Sequence, residues 1–205
     1  MARAKYLLWI DLETTGVDQV EDPILEVGMI ITESCPPFVD LFQGSWVINP
    51  ALSGSDAWDT RLDEYVRNMH TVNGLLNDVG NPEVAVSLGV AQQQIINALD
   101  HFGRPHNYML AGSGVGHFDR RFIETQMPDL AKWLQYPNLD VGVIRRAFSF
   151  AKRDDLVEFG TTFEGADKPH RGLDDVQDHL AEFRLYCELF GNIPTGEEEA
   201  EAIGA

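Results

Sequence analysis

Residues 5–13 of this 205-residue chain hold a near-continuous apolar run, Tyr6-Leu7-Leu8-Trp9-Ile10, that stops at Asp11-Leu12-Glu13. A strand apolar on both sides must be covered on both faces, so this segment predicts a buried strand inside a sheet layered between helices. Side chains two apart on a strand share a face, separated by about 6.5 Å of rise. Asp11 and Glu13 therefore project the same way from the end of a buried element. Two carboxylates so placed can reach a pair of metal ions about 3.5–4 Å apart. The D-x-E pattern alone is weak, because many strands end in solvated acids.

Further elements can be placed along the chain. Residues 24–32 and 38–48 predict two more strands, with Cys35-Pro36-Pro37 as the turn between them. Asn49-Pro50 ends this run, and residues 51–80 are polar with short helical patches near 58–67 and 71–78. Asn81-Pro82-Glu83 predicts the start of a helix running to about Phe102. Residues 107–111 predict a short strand, and helices are expected over 118–127, 129–135, 140–151 and 173–190. Three strands first, then helices alternating with a strand, predict an α/β domain: a mixed sheet with helices on both faces. The expected boundaries are residues 1–192 for the domain and 193–205 for an acidic C-terminal tail holding Glu197, Glu198, Glu199 and Glu201.

Charge bears on partners. Fifteen basic against 33 acidic residues give a formal charge of −18, which argues against a protein that grips long nucleic acid on a broad basic surface. It leaves room for an enzyme that takes short ends, where divalent cations neutralise carboxylate and phosphate locally. No apolar run approaches the roughly 18 residues of a membrane span. The N-terminal residues run straight into the first strand without a signal-peptide pattern. Cys35 and Cys187 form no C-x-x-C motif and read as reduced thiols of a cytoplasmic protein.

Two more acids stand at element ends. Gly112-Ser113-Gly114-Val115-Gly116-His117-Phe118-Asp119 follows the strand Tyr108-Met109-Leu110-Ala111. The glycines serve a strand-to-helix turn, and Asp119 falls in the first turn of a helix that buries Phe118, Phe122 and Ile123. An acid there is also what a helix dipole favours. Downstream, Leu173, Val176, Leu180, Phe183 and Cys187 form an apolar stripe. At about 100° per residue Asp175 lies on its flank and Asp174 nearly opposite. Asp175 can thus project into a site at the edge of the core, while Asp174 reads as a capping or solvent-facing acid. His170 precedes this helix on a loop between Pro169 and Gly172, where it can swing over a site.

In conjunction, D-x-E, then D, then H-x-x-x-x-D resemble the DEDDh 3′→5′ exonuclease superfamily on a ribonuclease H-like fold, with oligoribonucleases the nearest likeness. The resemblance runs through Trp9-Ile10-Asp11-Leu12-Glu13-Thr14-Thr15-Gly16, His70-Thr71-Val72-Asn73-Gly74-Leu75, Asp119-Arg120-Arg121-Phe122, Asn138-Leu139-Asp140-Val141 and His170-Arg171-Gly172-Leu173-Asp174-Asp175. It implies a mixed five-stranded sheet flanked by helices. It also implies two divalent cations, Mg2+ or Mn2+, held by Asp11, Glu13, Asp119 and Asp175, with His170 as general base. The substrate implied is the 3′ end of a short single-stranded RNA, with DNA open as a second, and the product a nucleoside 5′-monophosphate. Leu12, Thr15, Val17, Tyr65, His70 and Tyr136 are the implied substrate contacts, and a homodimer the implied assembly.

The sequence departs from that pattern at the positions that confine substrate length. A leucine is usual where Val17 stands, and a tryptophan where Tyr65 stands. Pro137 and Gly142 replace an arginine and a serine that the family offers to phosphate. The segment before Asp119 is one residue longer, and His117-Phe118-Asp119 is closer to proofreading-type members. A relaxed length preference is therefore expected. Three rivals remain: a proofreading-like DNA exonuclease, a non-catalytic nucleic-acid-binding protein of the same fold, and a metal-dependent phosphatase.

Overall fold

The first strand, β1 (Tyr6–Thr14), is the middle of five. The computed structural model describes residues 4–153 and 170–191, and the acidic tail lies outside them. β2 (Ile24–Glu33) pairs antiparallel with one side of β1, and β3 (Asp40–Val47) antiparallel with β2. On the other side β4 (Tyr108–Gly112) pairs parallel with β1, and β5 (Leu134–Asp140) parallel with β4. The order β3-β2-β1-β4-β5 makes the sheet mixed, as expected.

Alternation along β1 explains its unbroken apolar run. Tyr6, Leu8, Ile10 and Leu12 enter the larger core, and Leu7 and Trp9 the one on the opposite face. The larger core is completed by Ala91, Ile95 and Leu99 of α3 (Leu88–Phe102), Phe122 and Ile123 of α4 (Asp119–Gln126) and Leu130 of α5 (Pro128–Ala131). The other face is covered by Val141 of α6 (Val141–Phe150) and by Val176 and Leu180 of α7 (Gly172–Gly191). A smaller cluster of Leu25, Val47, Leu62, Leu75 and Val79 seats α1 (Glu64–Val72) and α2 (Leu75–Val79) beside β2. Since residues alternate, Asp11 and Glu13 continue the Leu7–Trp9 side, the side that α7 covers.

Two expectations need correction. The helix expected from Asn81 begins at Leu88, with Ser87 as its N-cap. Asn81 caps only a turn, accepting the Glu83 N–H, while Val86 is drawn into a parallel bridge with Ile48. The helix expected over 129–135 is the single turn of α5, after which the chain enters β5. Pro137 hides that strand from a pattern reading, since proline within a run argues for an edge. β5 is an edge strand with a bulge: Tyr108 pairs with Leu134, but Leu110 already pairs with Asn138. The Arg120 guanidinium closes the bulge by donating to the carbonyls of Gln135 and Tyr136 and to the Asn138 side chain. Among the described residues no helix is long and apolar enough to cross a membrane.

Candidate active site

Asp11 and Glu13 reach the end of β1 where its partners part. The β1–β4 ladder stops at Trp9–Ala111. Beyond it the Leu12 N–H donates to Oδ1 of Asp119 at 3.0 Å, which fixes the start of α4 against β1. Asp119 is 3% exposed. On the other side Glu13 pairs with Glu26 and Asp11 with Gly28 on β2.

Gly28 is where α7 meets the sheet. A Cβ on Gly28 would stand 2.0 Å from the Gly172 carbonyl carbon, and one on Gly172 would stand 2.7 Å from the Gly28 nitrogen and 3.0 Å from the Asp11 carbonyl oxygen. Backbone touches backbone there, and only glycine permits it. That contact sets the first turn of α7, and with it Asp175, against the end of β1. Glu26, buried within β2, anchors the same junction. Its carboxylate accepts from Arg171 Nε and Nη2, both at 3.0 Å, from the Gly172 N–H at 3.0 Å and from Ser45 Oγ at 2.8 Å. Arg171 Nη1 also pairs with Asp78 at 3.0 Å.

Glu13, His170 and Asp175 offer ligand-type atoms that all lie within 4.8 Å of one another. They line a cleft of 360 Å³ together with Asp11. Leu12, Val17, Val66, Met69 and Phe118 supply apolar wall, and Ser113 and His179 further polar atoms. No lysine or arginine is among the described lining residues. Burial first, then repulsion from Asp11 and Asp175, pushes the Glu13 carboxyl up to about 10. Burial likewise pushes Asp119 up to about 7. A cluster that resists its own ionisation, is built chiefly of carboxylate oxygens and has no lysine or arginine among the described residues of its cleft fits divalent cations as its counter-charge.

Of the residues expected at a site, Asp11, Leu12, Glu13, Val17, His170 and Asp175 line the cleft, and Asp119 stands within electrostatic reach of Glu13. Thr15 and His70 do not open onto the cleft. Their side chains are closed off inside the fold: the Thr15 N–H turns back onto the Pro23 carbonyl, and His70 of α1 reaches the Thr14 carbonyl at the strand end. His70, at 0% exposure, stands behind Glu13, its Nε2 at 3.2 Å from the Thr14 carbonyl and 3.8 Å from Glu13 Oε2. Burial lowers its pKa, which favours the neutral ring. Tyr65 and Tyr136 are exposed and are not among the cleft-lining residues, Tyr136 at 86% on the β5 bulge. Motif reading passes over Glu26, Gly28 and His179. For Glu26 the signal was present, a charged residue inside an apolar strand.

No family model matches the chain. The oligoribonuclease of Marinobacter nauticus is 33% identical to it over 190 residues, covering 93% of this chain and 98% of that protein. The oligoribonuclease of Colwellia psychrerythraea is 34% identical over 184 residues, covering 90% and 94%. Among solved structures, E. coli exonuclease I in complex with a dT13 oligonucleotide matches with a TM-score of 0.63 at 16% identity, over 92% of this chain. The chain spans 43% of that enzyme. At that identity the likeness bears on the fold, the ribonuclease H-like exonuclease architecture.

Proposed function

The chain belongs to the oligoribonuclease family, and from that premise and its cleft we propose a divalent-cation-dependent hydrolysis in which Asp11, Glu13, Asp119 and Asp175 hold two ions, Mg2+ or Mn2+. It is a 3′→5′ exonuclease acting on short single-stranded nucleic acid, and nucleoside 5′-monophosphates are the product. The single observation that carries the reading is the meeting of Glu13, His170 and Asp175 within 4.8 Å in a cleft that also holds Asp11.

When bound, the ions supply Lewis acidity toward the attacking water and the departing 3′ oxygen. The protein's own groups do the rest. Leu12, Val17 and Phe118 give the terminal nucleotide an apolar surface that excludes water from one side. The His170 imidazole takes a proton from the water as its oxygen bonds to phosphorus. The P–O3′ bond then breaks, and the released 3′ oxygen takes up a proton from solvent. His70, neutral behind Glu13, holds the turn after β1 in place. Tyr136 is offered as a base-stacking contact completed by a second copy of the chain, and equilibrium sedimentation tests that homodimer. The free thiols of Cys35 and Cys187 accord with a cytoplasmic protein.

A relaxed length preference belongs to the same reading. Gly142 brings no hydroxyl toward the substrate, and a Cβ there would stand 2.9 Å from Oγ of Ser113, a cleft-lining residue. The test uses 5′-labelled two-, seven- and twenty-nucleotide RNA and DNA with Mg2+ or Mn2+, against an Asp11→Ala control. Stepwise 3′ shortening that vanishes in the control is expected, with the seven-mer cut about as fast as the two-mer. A two-mer cut far faster than the seven-mer overturns the length proposal. DNA cut in preference to RNA moves the proofreading-like reading to the front, and no cleavage with either metal overturns the mechanism.

A further inference from the structure

His170 sits in the left-handed region, at φ +45°, a conformation that a residue with a side chain keeps only where its surroundings hold it. The residues after it are held by Glu26, through Arg171 and the Gly172 N–H. His170 itself is held from another direction. Asn73 Nδ2 donates to the His170 carbonyl oxygen at 2.7 Å, across 97 positions of sequence.

Asn73 is well placed to act as an anchor. It ends α1, and Gly74, at φ +82°, turns the chain into α2. The Asn73 Oδ1 accepts the Leu75 N–H at 2.9 Å, so one end of the amide fixes its own corner while the other end fixes the histidine. The corner is seated in turn, because Leu75 and Val79 are buried against Leu25 and Val47. Arg171 ties the same helix to the histidine loop through Asp78.

We infer that Asn73 is a positioning residue for His170: by holding the backbone carbonyl it sets the direction in which the imidazole enters the cleft. The inference rests on the reading of His170 as general base. A carbonyl released from Asn73 lets the peptide plane rotate, and the Cα–Cβ bond of His170 turns with it. Displacements of about 1 Å at a reacting group lower rates by about 100-fold.

The test separates this role from simple support of the corner. Asn73→Asp keeps an acceptor for the Leu75 N–H but removes the donor to His170, whereas Asn73→Ala removes both. Each is made with His170 present and in the His170→Ala protein. Single-turnover rates are then measured on a 5′-labelled seven-nucleotide RNA at saturating Mg2+, alongside the thermal midpoint. With His170 present, Asn73→Asp is expected to lower the rate about 10- to 100-fold, with the half-saturating substrate concentration and the thermal midpoint unchanged. In the His170→Ala protein the same change is expected to alter the rate by less than about twofold, since non-additivity marks two residues acting through one contact. Should Asn73→Asp fold poorly, the same comparison with Asn73→Ala decides, because loss of the corner is common to both backgrounds and cancels. Equal losses in the two backgrounds, or no loss with His170 present, overturn the role of Asn73. If His170→Ala itself leaves the rate intact, the base reading falls, and this inference with it.

Discussion

Glu13 is a carboxyl whose folded environment opposes its charge, and this has a consequence for stability that runs opposite to the usual acid. Its pKa rises from 4.5 to about 10 through burial and the Asp11 and Asp175 charges. Without divalent cations the folded state therefore binds the proton more tightly than the unfolded chain. Below pH 4.5 both states hold it and no penalty arises; as pH climbs from there toward 10, stability is lost. Glu13→Gln removes the titration. Above neutrality the metal-free variant is expected to melt about 3–8 °C higher than wild type, with the gap closing toward pH 4. Mg2+ or Mn2+ should raise the midpoint of wild type more than that of the variant, while nuclease activity is lost in the variant. Calorimetry across pH with and without cation checks this, and a Glu13→Gln protein less stable than wild type at pH 8 contradicts it. The element ends that carry Asp11, Glu13, Asp119 and Asp175 were legible in sequence, because each follows or opens an apolar pattern that marks its strand or helix. The burial of Thr15 and His70 was not legible, because whether a turn closes over a side chain depends on residues distant in sequence.

At the scale of elements, the site is a junction between β1, β2 and the first turn of α7. The strand β1 and the stripe of α7 could be read from periodicity, since each buries a face that its own sequence spells out. The junction could not, because the glycines that touch, Gly28 and Gly172, lie 144 positions apart and local pattern carries no trace of their approach. Nor could β5, whose pairing with β4 is broken by the bulge around Tyr136 and Pro137. Gly28→Ala and Gly172→Ala are each expected to force α7 off the sheet, lowering stability by about 1–3 kcal/mol and activity by more than the stability loss explains. Melting curves and rates measured well below the midpoint separate the two effects, and an active Gly28→Ala protein argues against the junction as the organiser of the site. Deeper along α7, Glu182 is fully buried between Arg145 Nε at 2.8 Å and the Tyr186 hydroxyl at 2.6 Å, joining α7 to α6. Arg145→Ala strands that carboxylate, and a loss of about 3–5 kcal/mol is expected in urea unfolding. A loss under about 1 kcal/mol would mean that Glu182 finds its counter-charge elsewhere.

Across the whole molecule the net charge of −18 sets how nucleic acid can be held. Much of the positive charge is already engaged: Arg61, Arg120, Lys132, Arg145, Arg171 and Arg184 each pair with an acid of the same chain. With no lysine or arginine among the described residues of the cleft wall, the proposed mechanism has the phosphates of a substrate meet the protein chiefly through bound cations. On that reading a long strand is expected to gain little from its extra length, since a chain of net charge −18 offers few cations for added phosphates. Counterion release makes this measurable, since the logarithm of binding falls with the logarithm of salt by about 0.7 per neutralised phosphate on a single strand. With divalent cation held at saturation, a contact of one or two phosphates predicts a slope of about −0.7 to −1.4 for kcat/KM against monovalent salt. The slope should be the same for two-, seven- and twenty-nucleotide substrates. A slope that steepens with length would reveal a basic track running out of the cleft, and the protein would then belong with enzymes that follow long strands. A shallow, length-independent slope instead describes an enzyme that recognises an end and little beyond it. Such selectivity would rest on the charge that the rest of the surface withholds as much as on the contacts inside the cleft.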